Sequence, residues 1–274
     1  GAHFNDLDVC GQFQGAASTT TRAGPGATMS PTFTARLFTT PSMGATRPGR
    51  GATDLSEALG SGEVRAFAVD VTDRGALESV LAEVEAAWDV PHLLVNAAAI
   101  DAPPDAPATE VGPFETYPTE SLARVLDVNV TGTVVPCQVF GTAMARAGRG
   151  SIVNVASVYG MLSPDQSLYD FRRDDGGEFV KPVSYVVSKS ALLNLTRYLA
   201  TYWGGSGVRV NTLTPHGIAN AQPQAFVDAF AARSPLRRLM DVGEATGAVV
   251  FLASDASSYV TGANVVVDGG WSAW

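Results

Sequence analysis

Tyr185 and Lys189 stand four residues apart in a stretch where Tyr185, Ser188, Leu192, Leu195 and Leu199 recur at helical spacing. One turn separates the two side chains, so phenol and ammonium share a face. An ammonium beside a phenol favours the phenolate and lowers a pKa of about 10 toward the range useful for proton transfer. The alternative is an amphipathic helix with an inward-facing tyrosine, because Y-x-x-x-K is a common pattern. Lysine usage favours the chemical reading: of 18 basic residues only Lys181 and Lys189 are lysines. Ser157 ends the apolar run Ser151 to Ser157, where a hydroxyl would project toward a ligand and bond a substrate oxygen, or else satisfy a loop amide. Asn129 interrupts the apolar face Leu122, Val125, Leu126 and Val130, as a core amide or as part of a proton relay.

The elements that must position these groups alternate along the chain. Val64 to Val71 reads as a strand, and Leu77 to Trp88 as a helix capped by Thr72 or Asp73. His92 to Ala98 is the next strand, and a long helical face follows from Leu122 toward Met144. After Ser151 to Ser157 come the helix of Tyr185, a strand at Val208 to Leu213, a helix at Gly243 to Ser254 and a strand at Asn264 to Val267. Near-continuous Val, Ile and Leu in strands alternating with helices predicts an α/β fold, a doubly wound parallel sheet in one domain spanning 51–274. Ligands of such sheets sit outside the carboxyl ends of the strands. Those ends carry Asp70, Asn96 to Ala99, Ser157 and Pro215 to Ile218.

Composition narrows the function. The chain has 274 residues and a formal charge of -9, which lacks the cationic surplus that nucleic acid or an anionic membrane demands. Two cysteines, Cys10 and Cys137, and three histidines, His3, His92 and His216, are too scattered for a metal site or a disulfide framework. No run approaches the ~20 apolar residues of a membrane span, and no charged start precedes an apolar core, so a cytoplasmic protein is expected.

From Val64 onward the sequence resembles the short-chain dehydrogenase/reductase family. The resemblance rests on VDV at Val69 to Val71, VNAAA at Val95 to Ala99, Asn129, Ser157, Tyr185 with Lys189, VRVNTLTPHGI at Val208 to Ile218, and VTGANVVVDGGW at Val260 to Trp271. It implies a Rossmann-like fold, NAD or NADP as cofactor, an alcohol or carbonyl substrate such as a sugar, sugar acid or polyol, and a homodimer or homotetramer. By the same resemblance Asp70 bonds the adenine amino group, Val71 flanks the ring, and Asn96, Ala97 and Ala98 line the adenosine ribose. Ile218 meets the nicotinamide carboxamide, Lys189 holds the nicotinamide ribose, Ser157 orients the reacting oxygen, Tyr185 exchanges its proton and Asn129 positions a relay water.

Two departures qualify this expectation. Residues 1–50 contain 9 Thr, 3 Ser, 7 Gly and 4 Pro with no Glu or Lys, and show no sustained helical or strand period. The family's T-G-x-x-x-G-x-G turn is not found there. The nearest match is Cys10, Gly11, Gly15 and Ala17, and an irregular or disordered segment is expected, with the central strand of the sheet missing. By the resemblance, Arg50 stands where members of the family often carry a residue facing the adenosine 2′ position, which does not decide between the two cofactors. A scaffold without catalysis, its cofactor half defective, is the competing function. The second departure is a long insert between Ser157 and Tyr185, bearing Tyr169, Arg172, Arg173 and Lys181. It must pass the mouth of the site, where its cations suit a polar or anionic substrate, or else form an exposed loop or subunit contact.

Overall fold

The computed structural model describes residues 36–39, 66–101, 108–173, 179–220 and 222–274. The turn sought at Cys10 to Ala17, Arg50 and the expectation of an irregular 1–50 lie outside these residues, with one exception. Arg36–Thr39 forms a strand, β1, although no strand period is legible there. It pairs in parallel with β2 (Ala66–Val69), Phe38 opposite Ala68.

Asp73 caps α1 (Arg74–Trp88), its carboxylate accepting from the Ala76 N–H at 3.0 Å. Chain reversal then leads into β3 (Leu93–Asn96). The long helical face is broken into α2 (Thr119–Leu126), α3 (Gly132–Pro136) and α4 (Thr142–Ala147) by two wider π turns at Asp127–Thr131 and Cys137–Gly141. Pro136 has no N–H to donate and immediately precedes the second π turn, while the Thr133 hydroxyl bonds the carbonyl of Asn129 in the first at 2.9 Å. There follow β4 (Gly150–Val155), a single helical turn α5 (Asp170–Arg173), the 21-residue α6 (Val183–Trp203), β5 (Val208–Pro215), α7 (Gln224–Arg233), α8 (Thr246–Ala253) and β6 (Asn264–Val267).

Strands β3, β4, β5 and β6 form one parallel sheet in that order, and β1 with β2 form a second. Among the described residues no strand joins the two, which is where the sequence leaves the central strand unaccounted for. A shared apolar cluster bridges them: Phe67 and Val69 of β2 pack with Leu77, Val80 and Val84 of α1, Val135, Phe140 and Leu94 of β3. Period-two alternation sorts the larger sheet into two faces. Leu94, Ile152 and Val210 bury against Met144 of α4 and Leu199 and Trp203 of α6, while Leu93, Val153 and Leu213 face Leu252 of α8. Helices therefore cover both faces, the doubly wound arrangement expected.

One step toward the carboxyl end on the α6 face, the register places Asn96, Asn154 and Thr212 side by side. They would be unsatisfied in an apolar core, so they bond one another. Asn96 donates to Asn154 at 2.9 Å, Asn154 to Thr196 of α6 at 2.9 Å, and Thr212 to Thr196 at 2.8 Å. This ladder locks three strands to the helix that carries Tyr185 and Lys189.

Candidate active site

At the carboxyl ends of β3, β4 and β5 a cavity of about 100 Å³ is lined by Ile100, Ser157, Tyr185 and Ile218 together with Tyr169 and Lys181 of the insert. The insert does pass the mouth of the site. Four separate segments converge there because parallel strands all end on one side of the sheet.

Ser157, buried, begins a 3-10 turn with its hydroxyl accepting from the Tyr159 N–H at 3.2 Å. It thus satisfies a loop amide, as its plainer reading holds, and also bonds Tyr185. Tyr185 lies in the first turn of α6. Crowding of protein atoms around the phenol, and next the Asp101 carboxylate, push it up to about 12; Lys181 and the Ser157 bond oppose the shift.

This corrects the expectation that Lys189 lowers the phenol's pKa. The Lys189 ammonium is buried, sits 5.7 Å from the Tyr185 ring centroid and donates to the Val155 carbonyl at 2.9 Å. Desolvation dominates it in turn and brings it down to about 8. The nearer cation is Lys181, 4.9 Å from the same centroid.

Asn129 sits in the first π turn with no exposed surface. Its amide accepts from the Ile100 N–H at 2.8 Å, donates to the Ile100 carbonyl at 2.8 Å and donates to Ser188 at 2.9 Å. Ser188 in turn donates to the Tyr185 carbonyl at 2.8 Å. Asn129 therefore clamps the loop after β3 to α6, which is the core-amide alternative realised beside the site.

The expected cofactor residues lie at the carboxyl ends of β2, β3 and β5. Asp70 follows β2 and its carboxylate accepts from the N–H and hydroxyl of Thr72 at 2.9 and 2.7 Å, fixing the turn into α1. Val71 is buried against Gly132, where a β-carbon would come within 2.5 Å of it. Asn96 serves the polar ladder, and Ala97 and Ala98 follow it in the loop that Asn129 holds. Ile218 is buried and faces the cavity, with its carbonyl accepting from Gln222 at 2.7 Å. The preceding Gly217 has φ +64°, and a β-carbon there would meet the Phe230 ring at 2.1 Å.

Three residues on the cavity were not singled out from the sequence for this site. Asp101 forms an ion pair with buried Lys181, and its Oδ1 is buried without a partner among the described residues. His216 contacts Tyr159, Phe230 and Trp271 at ring distances of 5.2, 5.1 and 4.8 Å. Its Nε2 is also buried without a partner among the described residues, and burial holds the imidazole neutral, down to about 4. Tyr159 brings its hydroxyl 3.4 Å from that of Tyr169. Only the position of His216 at a strand end, within the Pro215 to Ile218 segment, signalled any of this in the sequence.

The donor set suits a nicotinamide nucleoside. An ammonium has three N–H donors, and buried Lys189 spends one, on Val155, among the described residues. Its remaining donors beside Tyr185 are the kind of group that ribose hydroxyls satisfy.

Comparison with known proteins agrees with the geometry. The family described as short chain dehydrogenase matches residues 37–170, and that described as Enoyl-(Acyl carrier protein) reductase matches residues 176–272. Galactitol 2-dehydrogenase (L-tagatose-forming) of Cereibacter sphaeroides is 35% identical over 226 residues, covering 80% of each chain. D-threitol dehydrogenase of Mycolicibacterium smegmatis is 32% identical over 229 residues, covering 81% of this chain and 79% of the other. The crystal structure of a short chain dehydrogenase from Leptospira borgpetersenii with bound NAD+ superposes with a TM-score of 0.67 at 30% identity, covering 77% of both chains. Fold, strand-end site and these likenesses together show that the chain belongs to the short-chain dehydrogenase/reductase family.

Proposed function

We propose that this protein transfers a hydride between NAD or NADP and the carbinol or carbonyl carbon of a small, hydroxylated substrate, with Tyr185 as acid-base group. The observation that carries the reading is the meeting of Ser157 and Tyr185 at one cavity, with the buried, under-bonded Lys189 behind it 5.7 Å from the Tyr185 ring centroid. The nicotinamide cofactor supplies or accepts the hydride; in oxidation the alcohol gives up that hydride and one proton and becomes a carbonyl. Ser157 holds the reacting oxygen by a hydrogen bond, and Tyr185 exchanges the proton at that oxygen. A phenol held near 12 is protonated at neutral pH, the state that donates to a carbonyl oxygen, and Lys181, 4.9 Å from the ring centroid, is the cation that stabilises the phenolate left behind. Lys189 also offers its unspent donors to the nicotinamide ribose, and Ile218 meets the carboxamide. Asp70, Val71, Asn96, Ala97 and Ala98 lie along the adenosine side, and Asn129 serves as a positioning residue for the Ile100 loop.

A homodimer or homotetramer fits the surface. Tyr198 and Tyr202 stack on the outer face of α6, 61% and 66% exposed, and Val250, Phe251 and Val266 are exposed on α8 and on the edge strand β6. Light scattering should return at least a dimer at micromolar concentration.

Titration with NADH and NADPH, followed by energy transfer from tryptophan to the reduced nicotinamide, tests the cofactor assignment. Saturable binding of either at micromolar concentration is the expected result. No saturation by either up to millimolar concentration would replace the enzyme reading with that of a scaffold.

A further inference from the structure

Two polar atoms at the active-site cavity are buried and unbonded among the described residues: Asp101 Oδ1 and His216 Nε2. A carboxylate oxygen removed from water and left unpaired costs free energy, and a ligand O–H is the group that meets it. The other oxygen of Asp101 is held by Lys181, which the insert delivers to the cavity wall and whose own N–H is fixed by Gln166 at 2.9 Å. Asn129 clamps the adjacent Ile100 through both of its backbone groups, so Asp101 is presented by a pinned loop. This acceptor stands on the same cavity as Ser157 and Tyr185, whose ring lies 4.9 Å from the Lys181 ammonium.

Charge decides between the polar substrates that the insert could serve. Lys181 is neutralised by Asp101, Arg233 is paired with Asp165, and Arg172 lies 4.3 Å over the Phe179 ring. The group left unpaired on a residue of the cavity wall is a carboxylate oxygen whose charge Lys181 balances; as a pure acceptor it takes a hydrogen bond from a hydroxyl and offers no donor to a substrate carboxylate. His216 is held neutral by burial and offers a second hydrogen-bonding atom without charge. The aromatic faces of Tyr159, Tyr169 and Phe226 complete walls against which the C–H surface of a carbohydrate packs.

We propose that the substrate is a neutral vicinal diol or polyol, recognised by donation of the hydroxyl adjacent to the reacting carbon to Asp101 Oδ1, with Lys181 positioning that carboxylate and His216 Nε2 engaging a further hydroxyl. This rests on the oxidoreductase reading above. The reacting carbinol loses a hydride to the oxidised nicotinamide and its O–H proton to Tyr185 in its phenolate form, the phenol having first released its own proton to solvent, so the product is an α-hydroxyketone and the neighbouring hydroxyl is unchanged.

The test compares kcat/KM, with NAD and with NADP, for threitol, galactitol and butane-2,3-diol against butan-2-ol and 3-hydroxybutyrate. The diols should exceed butan-2-ol by roughly 10- to 100-fold, the scale of one hydrogen bond to a charged acceptor, mainly through KM, and the hydroxy acid should be the poorest substrate. Asp101→Asn alone leaves a buried ammonium unpaired and can unfold the chain, so the variant pair Asp101→Asn with Lys181→Met, which removes both charges, is measured as well. It should cut the diol to mono-alcohol ratio at least tenfold, and the ratio reports recognition even where both rates fall. Equal kcat/KM for diol and mono-alcohol in the wild-type protein, a preference for the hydroxy acid, or an undiminished ratio in the folded double variant would each overturn the proposal. The wild-type comparison decides if the double variant does not fold. Cofactor binding without turnover of any of the five compounds would overturn the substrate class and leave the cofactor reading standing, whereas loss of cofactor binding itself strikes the reading beneath it.

Discussion

Replacing Asn129 by Ala should unfasten the active-site floor, and the structure sets the size of the effect. The amide makes three hydrogen bonds at 2.8 to 2.9 Å, two to the backbone of Ile100 and one to Ser188. Each such bond contributes about 1 kcal/mol net, and Asn129 is buried with no exposed surface, so water does not replace the lost partners in place. Ile100 is only partly buried and can recover some hydration, which lowers the sum to about 2 to 3 kcal/mol. Against a total stability of ~5 to 15 kcal/mol that is a large share. For a domain of this size it corresponds to a melting temperature lower by about 4 to 12 °C. Urea unfolding followed by far-ultraviolet circular dichroism checks it, with an unchanged m-value as the condition for reading the midpoint as stability. Because Ile100 leads into Asp101, the same variant should raise KM for alcohol substrates more than it changes cofactor affinity. A loss below about 0.5 kcal/mol would mean that the clamp is redundant and that another contact fixes the Ile100 loop.

Two further outcomes follow from the site. Gly217→Ala should destabilise strongly or abolish folding, because φ is +64° and the new β-carbon would overlap the Phe230 ring at 2.1 Å; a soluble variant melting within 2 to 3 °C, the shift of about 1 kcal/mol, would contradict that packing. Burial holds Lys189 down to about 8 against the ordinary lysine value of 10.5, so between those values the unfolded chain carries a proton that the folded chain has released, and folding stability rises with pH. Lys189→Met removes this contribution. Between pH 8 and 9 the wild-type protein should therefore gain up to about 1.4 kcal/mol relative to the variant in paired urea titrations, and parallel curves would refute the assignment.

The sequence was most readable where burial follows a period. The strand at Asn264–Val267, the helix carrying Tyr185 and the cap at Asp73 appear with close to the expected bounds. In each, an apolar stripe or a capping carboxylate acts locally, so neighbours in sequence suffice to reveal it. β1 escaped because four residues flanked by Thr, Pro and Gly carry too few alternations to register a period. α7 escaped for a similar reason: within Gln224–Arg233 only Phe230 is buried, and a single anchor makes no stripe. Of the site, Asn129, Ser157, Tyr185 and Lys189 could be picked out by type and spacing. Asp101 and His216 could not be paired with them, since the loop after β3, the insert and the end of β5 meet only once the sheet has formed. The pKa of Tyr185 was misjudged for a physical reason. Spacing along a helix reports which groups are near, while desolvation, which outweighs Lys181 here, depends on everything packed around them.

The most direct test of the account is the turnover of Tyr185→Phe on an alcohol that the wild-type protein oxidises, read as reduced nicotinamide formed at 340 nm under saturating cofactor. Phe keeps the ring and removes the exchanging proton, so kcat should fall by ~10² to 10⁴-fold while the affinity for NADH or NADPH, titrated by fluorescence, stays within a factor of about two. Wild-type turnover in the folded variant would contradict the account, because no proton at Tyr185 would then be needed for the reaction.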